Sequence, residues 1–589
     1  MDKISNPLIF RYNEDVSVNT LDPAFIKSQS EIWIGAQIYE GLMGLDSLLN
    51  PVPELSKTVE IDPSGTVYKF TLKPNVFFVW TDVNKNGELP ISKQALNIYD
   101  VAYSFCRLLS PKVASPGAWI LSDKMDIPKE LQEIKPADWN IPKICSSEKS
   151  PIHVLNDSTL ELRLTKPFPA FLSLLATNYC WIVPRFTQTW SPEKMSTQPI
   201  GTGAFYLRRW ETDVKLVSRK NPFYHGKPAQ LDAVNVDFVK NKQTAFMQFM
   251  AGKYDFFNGV DASFRNELLT KTGELQSQYS AKINANITDF LNTEYIGFYL
   301  GDSLDGKLNP FKDKFLRKAM QAAVDQDQII RFFRNGLGKK GQQGFVPPAL
   351  LMSDYPANTR SNTTENTHSS NQTDLHLNEP FSLKNNSNPS KVSTAASKGN
   401  SNTNGNLNQA RELLRKSDYL KFPKRYAQLK LTTTSDYLDI AVYLQRVWKM
   451  LGLNVEIDLQ TGGMLRQLRN QGKLGMFRGS WIADYPDAEN YLSCFYTGYF
   501  SPNGPNYTHF SNSKFDQLFE EIAFGVVNSP EKEKERKHKI VMANQILAEE
   551  APVIVLYYDR SLRLSQKNVV GMGNDAINRL KLNTVTIKN

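Results

Sequence analysis

An aspartate that follows a tryptophan at the end of an apolar segment is the group in this sequence best placed to bind a charged molecule. Residues 473–480 predict a buried strand, and Trp481 and Asp484 come directly after it. A carboxylate in that position could hold a cation beside an aromatic wall. In the competing interpretation Asp484 only caps the turn before Pro486, and Trp481 is an ordinary core residue.

The elements around this aspartate alternate between strand and helix. Alternation of this kind predicts an α/β unit with parallel strand pairing. Open α/β sheets bind ligands beyond the carboxyl ends of their strands, which is where Asp484 would lie. The predicted strands cover 429–432, 455–459 and 473–480, and the predicted helices cover 437–451 and 464–471.

Three other segments carry structural predictions. A continuous apolar run at 552–558 predicts a strand in the centre of a sheet, and helical spacing of apolar residues predicts one long helix over 311–335. Gly201 and Gly203 in the turn at 199–206 indicate positive φ or close backbone packing. A phosphate-binding loop is the alternative for that turn, but the Lys-Ser/Thr pair and the helix start of such loops are missing.

Bulk properties limit the class of protein. A chain of 589 residues is too long for one core, so we expect two or three lobes. The net charge of +9 is spread along the chain, and its densest patch, 531–539, alternates in sign, which is typical of a solvated helix face rather than a nucleic-acid site. No apolar run has the roughly 18 residues of a membrane span.

Residues 357–406 differ from the rest of the chain in composition. More than half of positions 358–406 are Asn, Ser or Thr, and large apolar residues are almost absent. Such a segment buries too little surface to offset its ordering entropy, so we predict a disordered insertion. The four cysteines, at 106, 145, 180 and 494, form no metal-binding pattern. Cys106 and Cys180 lie in apolar runs and are expected to be small buried residues, while a disulfide between distant positions remains an alternative.

The order of several short motifs resembles the family 5 extracellular solute-binding proteins, the oligopeptide- and dipeptide-binding receptors of ABC importers. The run Trp481–Leu492 resembles the ligand motif of that family. The supporting motifs are the Glu-Gly-Leu element at 40–42, the stretch from 53 to 78, the Gly-Thr-Gly turn at 201–203, the Asn-Pro-x-Tyr phrase at 221–224, the helix at 315–325 and the segment 506–516. Two departures are Tyr299, where the family commonly has Asn, and Ala488, where it usually has Pro.

This resemblance implies a bilobal α/β fold of the periplasmic-binding-protein type, type II, with an extra subdomain. The implied division is 1–52 and 200–290 for lobe I, 53–199 for an α+β subdomain, 291–547 for lobe II and 548–589 for a return to lobe I.

The resemblance also implies a function, which is to capture peptides in a cleft between the lobes and to deliver them to the permease of an ABC importer. Asp484 would receive the peptide α-ammonium, and Trp481, Ala483, Tyr485 and Tyr299 would line the site. No residue is specific for the peptide carboxylate, although Arg466, Arg469 and Arg478 are the nearest basic candidates in sequence.

No cofactor, metal or catalytic residue is implied, and the protein is expected to be a monomer in the periplasm or cell envelope. Residues 1–10 contain no export signal, so the natural precursor is expected to carry an export or lipoprotein signal ahead of them, with a lipid anchor as the only membrane attachment.

Two alternatives stay open at this level. The same scaffold could bind another solute, such as a sugar or a nickel chelate. A more remote alternative is a hydrolase that uses Asp484, Asp487 and Glu489, but their spacing over a proline turn gives no controlled separation of two carboxylates.

Overall fold

The computed structural model describes residues 7–82, 90–260, 262–341, 344–351, 403–573 and 575–588. Within these residues the chain forms a mixed α/β fold around one long sheet of eleven strands. In chain order they are β1 (Ile9–Asn13), β2 (Phe205–Glu211), β3 (Lys215–Lys220), β4 (Ala233–Asp237), β5 (Phe256–Asn258), β6 (Ile283–Phe298), β7 (Gly338–Lys339), β8 (Lys430–Thr433), β9 (Glu456–Leu459), β10 (Met476–Ile482) and β11 (Val553–Gln566).

The strand order of this sheet is β2-β3-β4-β1-β5-β11-β6-β10-β8-β9, with β7 also paired to β11. One end contains β1 in parallel with β4 and β5, and the other end contains β8 in parallel with β9 and β10. We call these ends, with the helices that cover them, the first and the second lobe. The apolar strand predicted from 552–558 is the start of β11, which lies in the centre of the sheet, as predicted.

Two long antiparallel strands, β6 and β11, connect the lobes. Ile283 on β6 and Leu564 on β11 pack in a core of the first lobe. Ile296 and Ile554, at the other ends of the same strands, pack in a core of the second lobe. Their pairing shifts register between Asp289 and Thr293, at the passage from one lobe to the other. A break in a ladder that joins two rigid units is a natural place for bending.

Helices cover both lobes. The described α-helices are α1 (Gln29–Ile38), α2 (Ile98–Leu109), α3 (Trp119–Ser122), α4 (Lys129–Glu133), α5 (Ile141–Cys145), α6 (Phe171–Leu175), α7 (Pro192–Thr197), α8 (Lys242–Met250), α9 (Ala262–Leu268), α10 (Ser277–Ser280), α11 (Lys314–Ala322), α12 (Gln326–Gln328), α13 (Thr403–Arg415), α14 (Leu438–Lys449), α15 (Gly462–Asn470), α16 (Ala488–Leu492), α17 (Ser513–Phe524) and α18 (Pro530–Glu550). The apolar side chains Ile440, Leu444 and Trp448 of α14 are buried and share a core with strands of the second lobe.

A second, smaller sheet lies beside the first lobe. Its four antiparallel strands are, in spatial order, Ser56–Ile61, Val67–Leu72, Thr159–Arg163 and Ile152–Asn156. Two-stranded pairs occur at Met43–Leu45 with Pro51–Pro53, Phe77–Trp80 with Ser92–Ala95, Ser303–Leu304 with Lys307–Leu308, and Val569–Val570 with Thr586–Ile587. The four-stranded sheet falls within the predicted extra subdomain, while the residue boundaries of the four-part division stay predictions.

The strand–helix alternation from 429 to 482 is confirmed, including its parallel pairing. The single helix predicted over 311–335 is wrong. The chain there forms α11 and α12, followed by a π-helical turn at Ile329–Phe333. The helix stops because the Asp325 side chain accepts a hydrogen bond from the backbone N–H of Gln328 at 3.2 Å and so caps a new helix start.

The predicted disordered insertion lies mostly outside the described residues, in 352–402. Its last four residues, 403–406, are described, and they form the first turn of α13 rather than a disordered end.

The turn at 199–206 contains glycines because the backbone of α1 packs closely against it. A methyl group on Gly201 would lie 2.0 Å from the carbonyl oxygen of Ile38, and one on Gly203 would lie 2.6 Å from that of Gln37. Neither glycine has positive φ. The sequence allowed either positive φ or close backbone packing at these glycines, and close packing is therefore the reason that applies.

Replacing Gly201 by Ala should lower the free energy of unfolding by about 1–3 kcal/mol, because the new methyl group meets backbone that cannot rotate away. The matched control is Gly463→Ala in α15, where no atom lies within 4 Å of the added carbon. This control should be neutral or stabilising by about 0.5–1 kcal/mol. Equal urea unfolding midpoints for the two variants would contradict the packing argument.

Candidate functional site

Asp484 lies two residues beyond the carboxyl end of β10, as predicted. Its carboxylate is held by Asn490 of α16, whose Nδ2 donates to Asp484 Oδ2 at 3.3 Å. The Asn490 Oδ1 in turn accepts from the Asp484 backbone N–H at 3.3 Å and from Trp481 Nε1 at 2.9 Å. One buried amide therefore fixes the orientation of both the aspartate and the tryptophan that the sequence singled out.

The charge of Asp484 is not neutralised by a cation. Among the described residues no lysine, arginine or histidine forms an ion pair with it. Burial raises the pKa of its carboxyl, and the hydrogen bond from Asn490 only partly offsets this rise. The side chain is nevertheless exposed to solvent. Both properties fit a group on the wall of a cleft, where protein atoms surround the carboxylate densely but leave it open on one side.

The charge of Asp484 acts on a side chain of the first lobe. Burial raises the pKa of the Tyr179 hydroxyl, and the charges of Asp484 and Glu31 raise it further. Tyr179 and Glu31 both belong to the first lobe, and Glu31 is buried at the start of α1. A negative group from each lobe therefore lies close enough to Tyr179 to act on its hydroxyl.

The three predicted wall residues that are near Asp484 in the sequence are also near it in the structure. Trp481 is half-buried against a core of the second lobe, and the backbone N–H of the half-buried Ala483 donates to Leu291 O at 2.9 Å. Tyr485 is buried, and its ring lies 6.3 Å from that of Trp119 in the first lobe. Trp481, Ala483 and Tyr485 are thus brought together with Asp484, while contact of any of them with a ligand stays a prediction.

Tyr299 is not brought to this group. β6 and β10 are antiparallel, and Asn292 pairs with Ile482 beside Asp484, whereas Phe298 pairs with Met476 at the other end. Six residues of strand separate these two pairs, or about 20 Å. The half-buried Tyr299 packs instead against His509, with 5.0 Å between the ring centres. Any contact it makes with a ligand would be far from the Asp484 carboxylate.

The two other acidic residues of the motif have partners of their own. Asp487 accepts two hydrogen bonds from Arg536, at 2.7 and 3.1 Å, and caps the start of α16. Glu489 is buried and accepts a hydrogen bond from the Tyr485 hydroxyl. Asp484, Asp487 and Glu489 therefore each have a different partner, and the partners of Asp487 and Glu489 are structural ones.

The basic residues near the motif in sequence lie in different surroundings. Arg478 forms an ion pair with Glu294 at 2.7 Å and stacks on the Tyr437 ring at 3.5 Å. Arg469 stacks on Tyr507 at 4.0 Å, and Arg466 is exposed. These contacts leave the partner of a ligand carboxylate unassigned.

Asn490, Tyr179 and Glu31 are the site residues that sequence reasoning missed. Asn490 lies six positions after Asp484, within the same motif, so a helix start at Asp487 would have been the signal that turns it back toward the aspartate. Tyr179 and Glu31 lie some 300 and 450 positions away, and the sequence contains no signal that links them to Asp484.

No group of three or more metal-binding side chains and no helix able to cross a membrane occurs in the described part of the chain. All four cysteines are buried and unpaired. Cys106 and Cys180 have exposures of 0% and 2%, which confirms the prediction that they are small buried residues.

Several solved structures share this fold. The unliganded open form of the murein tripeptide-binding protein MppA has a TM-score of 0.72 at 21% identity, with 99% of this chain and 98% of that chain covered. Haemophilus influenzae OppA in complex with the peptide RPPGFSPFR has a TM-score of 0.64 at 17% identity, with 100% of both chains covered. The bilobal α/β fold of periplasmic binding proteins is thereby established.

Curated relatives cover nearly the whole chain. The probable deoxycholate-binding protein YgiS of Escherichia coli is 24% identical over 96% of this chain and 90% of its own length. The dipeptide-binding protein DppE of Bacillus subtilis is 24% identical, covering 91% and 84%, and the oligopeptide-binding protein OppA of Salmonella typhimurium is 22% identical, covering 98% and 92%. Residues 50–503 match the sequence profile described as bacterial extracellular solute-binding proteins, family 5 Middle. The chain therefore belongs to the family 5 bacterial extracellular solute-binding proteins.

Proposed function

We propose that this protein captures peptides between its two lobes and delivers them to an ABC importer, with Asp484 receiving the free α-ammonium of the peptide. The observation that carries the proposal is a carboxylate that is oriented by an amide, has no cation partner among the described residues, and acts on a side chain of the first lobe. Two of the three relatives described above are named as peptide-binding proteins, and one of the similar structures was solved with a peptide. The chain belongs to a family of solute-binding proteins, and this membership supports our proposal that it is not an enzyme.

The chemistry of the pair explains why an ammonium fits. A carboxylate whose pKa is raised by burial is returned toward its ordinary state by a nearby positive charge. An ammonium donates charge-assisted hydrogen bonds, and it could reach Asp484 from the first lobe, where Glu31 adds negative potential. Binding and closure are then linked, because groups from both lobes act on the same cation.

An anionic solute is disfavoured by the same geometry. A relative named for deoxycholate, which is a carboxylate, leaves open that this fold binds another class of molecule. In this chain, however, such a ligand would bring a negative charge toward Asp484 and Glu31. Sugars and nickel chelates remain the other candidates, and a calorimetric screen of di- to pentapeptides, oligosaccharides, nickel chelates and deoxycholate separates these classes.

The remaining proposals follow from this role. The expected partners are a peptide and the permease of the importer, and the expected location is the periplasm or cell envelope, as in the relatives named periplasmic. We propose that the protein acts as a monomer, with a lipid anchor as its only attachment to the membrane. Main-chain groups of the lobes would hold the peptide in extended form, which gives affinity with loose side-chain selectivity.

The first prediction concerns the ammonium. Asp484→Ala should weaken binding of free-amino peptides about 30- to 5,000-fold, because loss of one partner of a buried charge pair costs about 2–5 kcal/mol. N-acetylated peptides should bind poorly to the unchanged protein and lose little more in the variant. The matched control is Asp439→Asn, an exposed carboxylate on α14 of the same lobe. Equal affinity for free and acetylated peptides in calorimetry would remove Asp484 from this role.

The second prediction concerns the amide that orients the carboxylate. Asn490→Leu keeps the volume but removes the hydrogen bonds to Asp484 and Trp481, so peptide affinity should fall about tenfold, the equivalent of one net hydrogen bond. Asn490 is expected to act on the peptide through Asp484. The loss of peptide affinity caused by Asn490→Leu should therefore be smaller in a protein that already carries Asp484→Ala. Additive effects on affinity in this double-mutant cycle would show that Asn490 acts independently of Asp484 and would contradict the prediction.

The third prediction concerns pH. Glu489 is buried where the lobes meet, and burial raises the pKa of its carboxyl from 4.5 to about 7, although Lys124 of the first lobe and Arg536 lower it. A raised pKa means that the folded protein prefers the protonated form. The resulting stabilisation is complete below pH 4.5 and is lost as the pH rises through about 7.

Glu489→Gln, which imitates the protonated form, should therefore be more stable than the unchanged protein at pH 8, by at most about 3 kcal/mol, and similar to it near pH 5. Burial also raises the pKa of Glu14 and Glu54 to about 7, and these groups titrate in both proteins, so the difference isolates Glu489. The control is the exposed Glu130→Gln in α4. Parallel thermal-stability curves from pH 5 to 8 would contradict the assignment.

A further inference from the structure

The small four-stranded sheet shares one hydrophobic core with the first lobe. Phe10 of β1 packs in the same buried cluster as Phe70 and Leu160 of the small sheet. Because close-packed cores deform little, the two sheets form one rigid unit. We call residues 56–168, which contain the small sheet, the small-sheet segment. A contact between this segment and the second lobe therefore joins the two lobes.

Phe524, the last residue of α17, packs against the cores of both lobes. Its ring centre lies 6.3 Å from that of Phe519, which is buried in the second lobe. It also lies 6.5 Å from the ring centre of Phe168 in the small-sheet segment. The Lys166 ammonium nitrogen lies 3.3 Å from the centre of the Phe524 ring, where the ring quadrupole attracts a cation. One side chain of the second lobe thus meets both an apolar and a charged group of the first.

A second aromatic contact lies beside the first. Tyr485 follows β10, yet it has an exposure of 5% and packs in the core of the first lobe, with its ring 6.3 Å from that of Trp119. Lys124, which is 7% exposed, lies near both first-lobe rings, since its ammonium nitrogen is 4.8 Å from the centre of Phe168 and 5.8 Å from that of Trp119. The two contacts therefore form one continuous patch.

We propose that the small-sheet segment and the end of α17 form a latch that holds the two lobes together whether or not a ligand is bound. The contacts of Phe524 and Tyr485 join protein groups directly and need no ligand to bridge them. In all of them the first-lobe partner belongs to the small-sheet segment, which gives this sheet a role in closure. Only the effect of the latch on peptide release rests on the proposed function.

The latch is tested first by small-angle X-ray scattering of the full chain without peptide. Lys166 is exposed, so Lys166→Glu removes the cation without disturbing a core. It should lower the ratio of closed to open molecules about two- to fivefold, and Phe524→Ala should lower it about 5- to 50-fold, since both the cation and the ring contact are lost. Both variants should therefore have a larger radius of gyration than the unchanged protein.

Two further variants serve as controls for the scattering. Phe524→Tyr retains the ring and should restore the radius of the unchanged protein. Phe422→Ala removes a second-lobe ring that is 49% exposed and whose cation partner, Arg425 at 4.6 Å, lies in the same lobe. It should leave the radius unchanged. Equal radii for Lys166→Glu, Phe524→Ala and the unchanged protein, or an equal increase in Phe422→Ala, would overturn the proposal.

Peptide kinetics give the second readout. A peptide that binds the unchanged protein should dissociate about two- to fivefold faster from Lys166→Glu, while its association is not slowed, because the latch favours the closed form. A merely structural role of Lys166 would lower the thermal midpoint without changing this rate, so equal dissociation rates would overturn the effect on release. If no peptide binds, the proposed function fails, and the scattering still decides whether the latch exists.

Discussion

A negative charge that is oriented but not neutralised is the constraint around which the second lobe is arranged. Asn490 can hold Asp484 in place because an amide supplies hydrogen bonds without supplying charge. An arginine at the same position would orient the carboxylate more strongly, but it would also occupy the place of an incoming cation. The neighbouring Asp487 shows this second arrangement, since its pair with Arg536 is complete and structural.

The three acidic residues of the motif differ in how the protein stabilises their carboxyl groups. Asp487 is paired with Arg536, Glu489 is buried with the pKa of its carboxyl raised by burial to about 7, and Asp484 has an amide partner but no ion pair among the described residues. Burying a charge without a partner is unfavourable in free energy. Proteins therefore retain such a group mainly at functional sites. At Asp484 the side chain is still exposed on one side, and this opening limits the cost while no ligand is bound.

Sequence reasoning was most successful where the determinants are local. Hydrophobic periodicity and turn residues are properties of neighbouring positions, so the strand–helix alternation that places Asp484 beyond β10 could be predicted. Tyr299 could not be placed in this way, because its distance from Asp484 depends on β6 and β10 being antiparallel, which is a property of the sheet rather than of either strand. Tyr179 and Glu31 approach the motif only after both lobes have folded, and no local pattern encodes that approach.

The described contacts between the lobes include aromatic and polar pairs that are individually weak. Besides the Tyr485–Trp119 pair, Lys166 of the first lobe lies 3.3 Å from the ring of Phe524 in the second. Asn528 donates one hydrogen bond to Pro63 O at 3.3 Å. Exposed interactions of this kind are each worth of the order of 1 kcal/mol or less.

Closure driven by such weak contacts alone would be nearly balanced between open and closed forms. A ligand shifts an equilibrium only by its differential affinity for the two states, so a nearly balanced pair of lobes lets a single charged contact have a large effect. If Asp484 binds the cation as we propose, this contact is favoured mainly in the closed form, in which the first lobe comes near. The contact that we propose to select the ligand would then also report its presence, through the two strands that join the lobes.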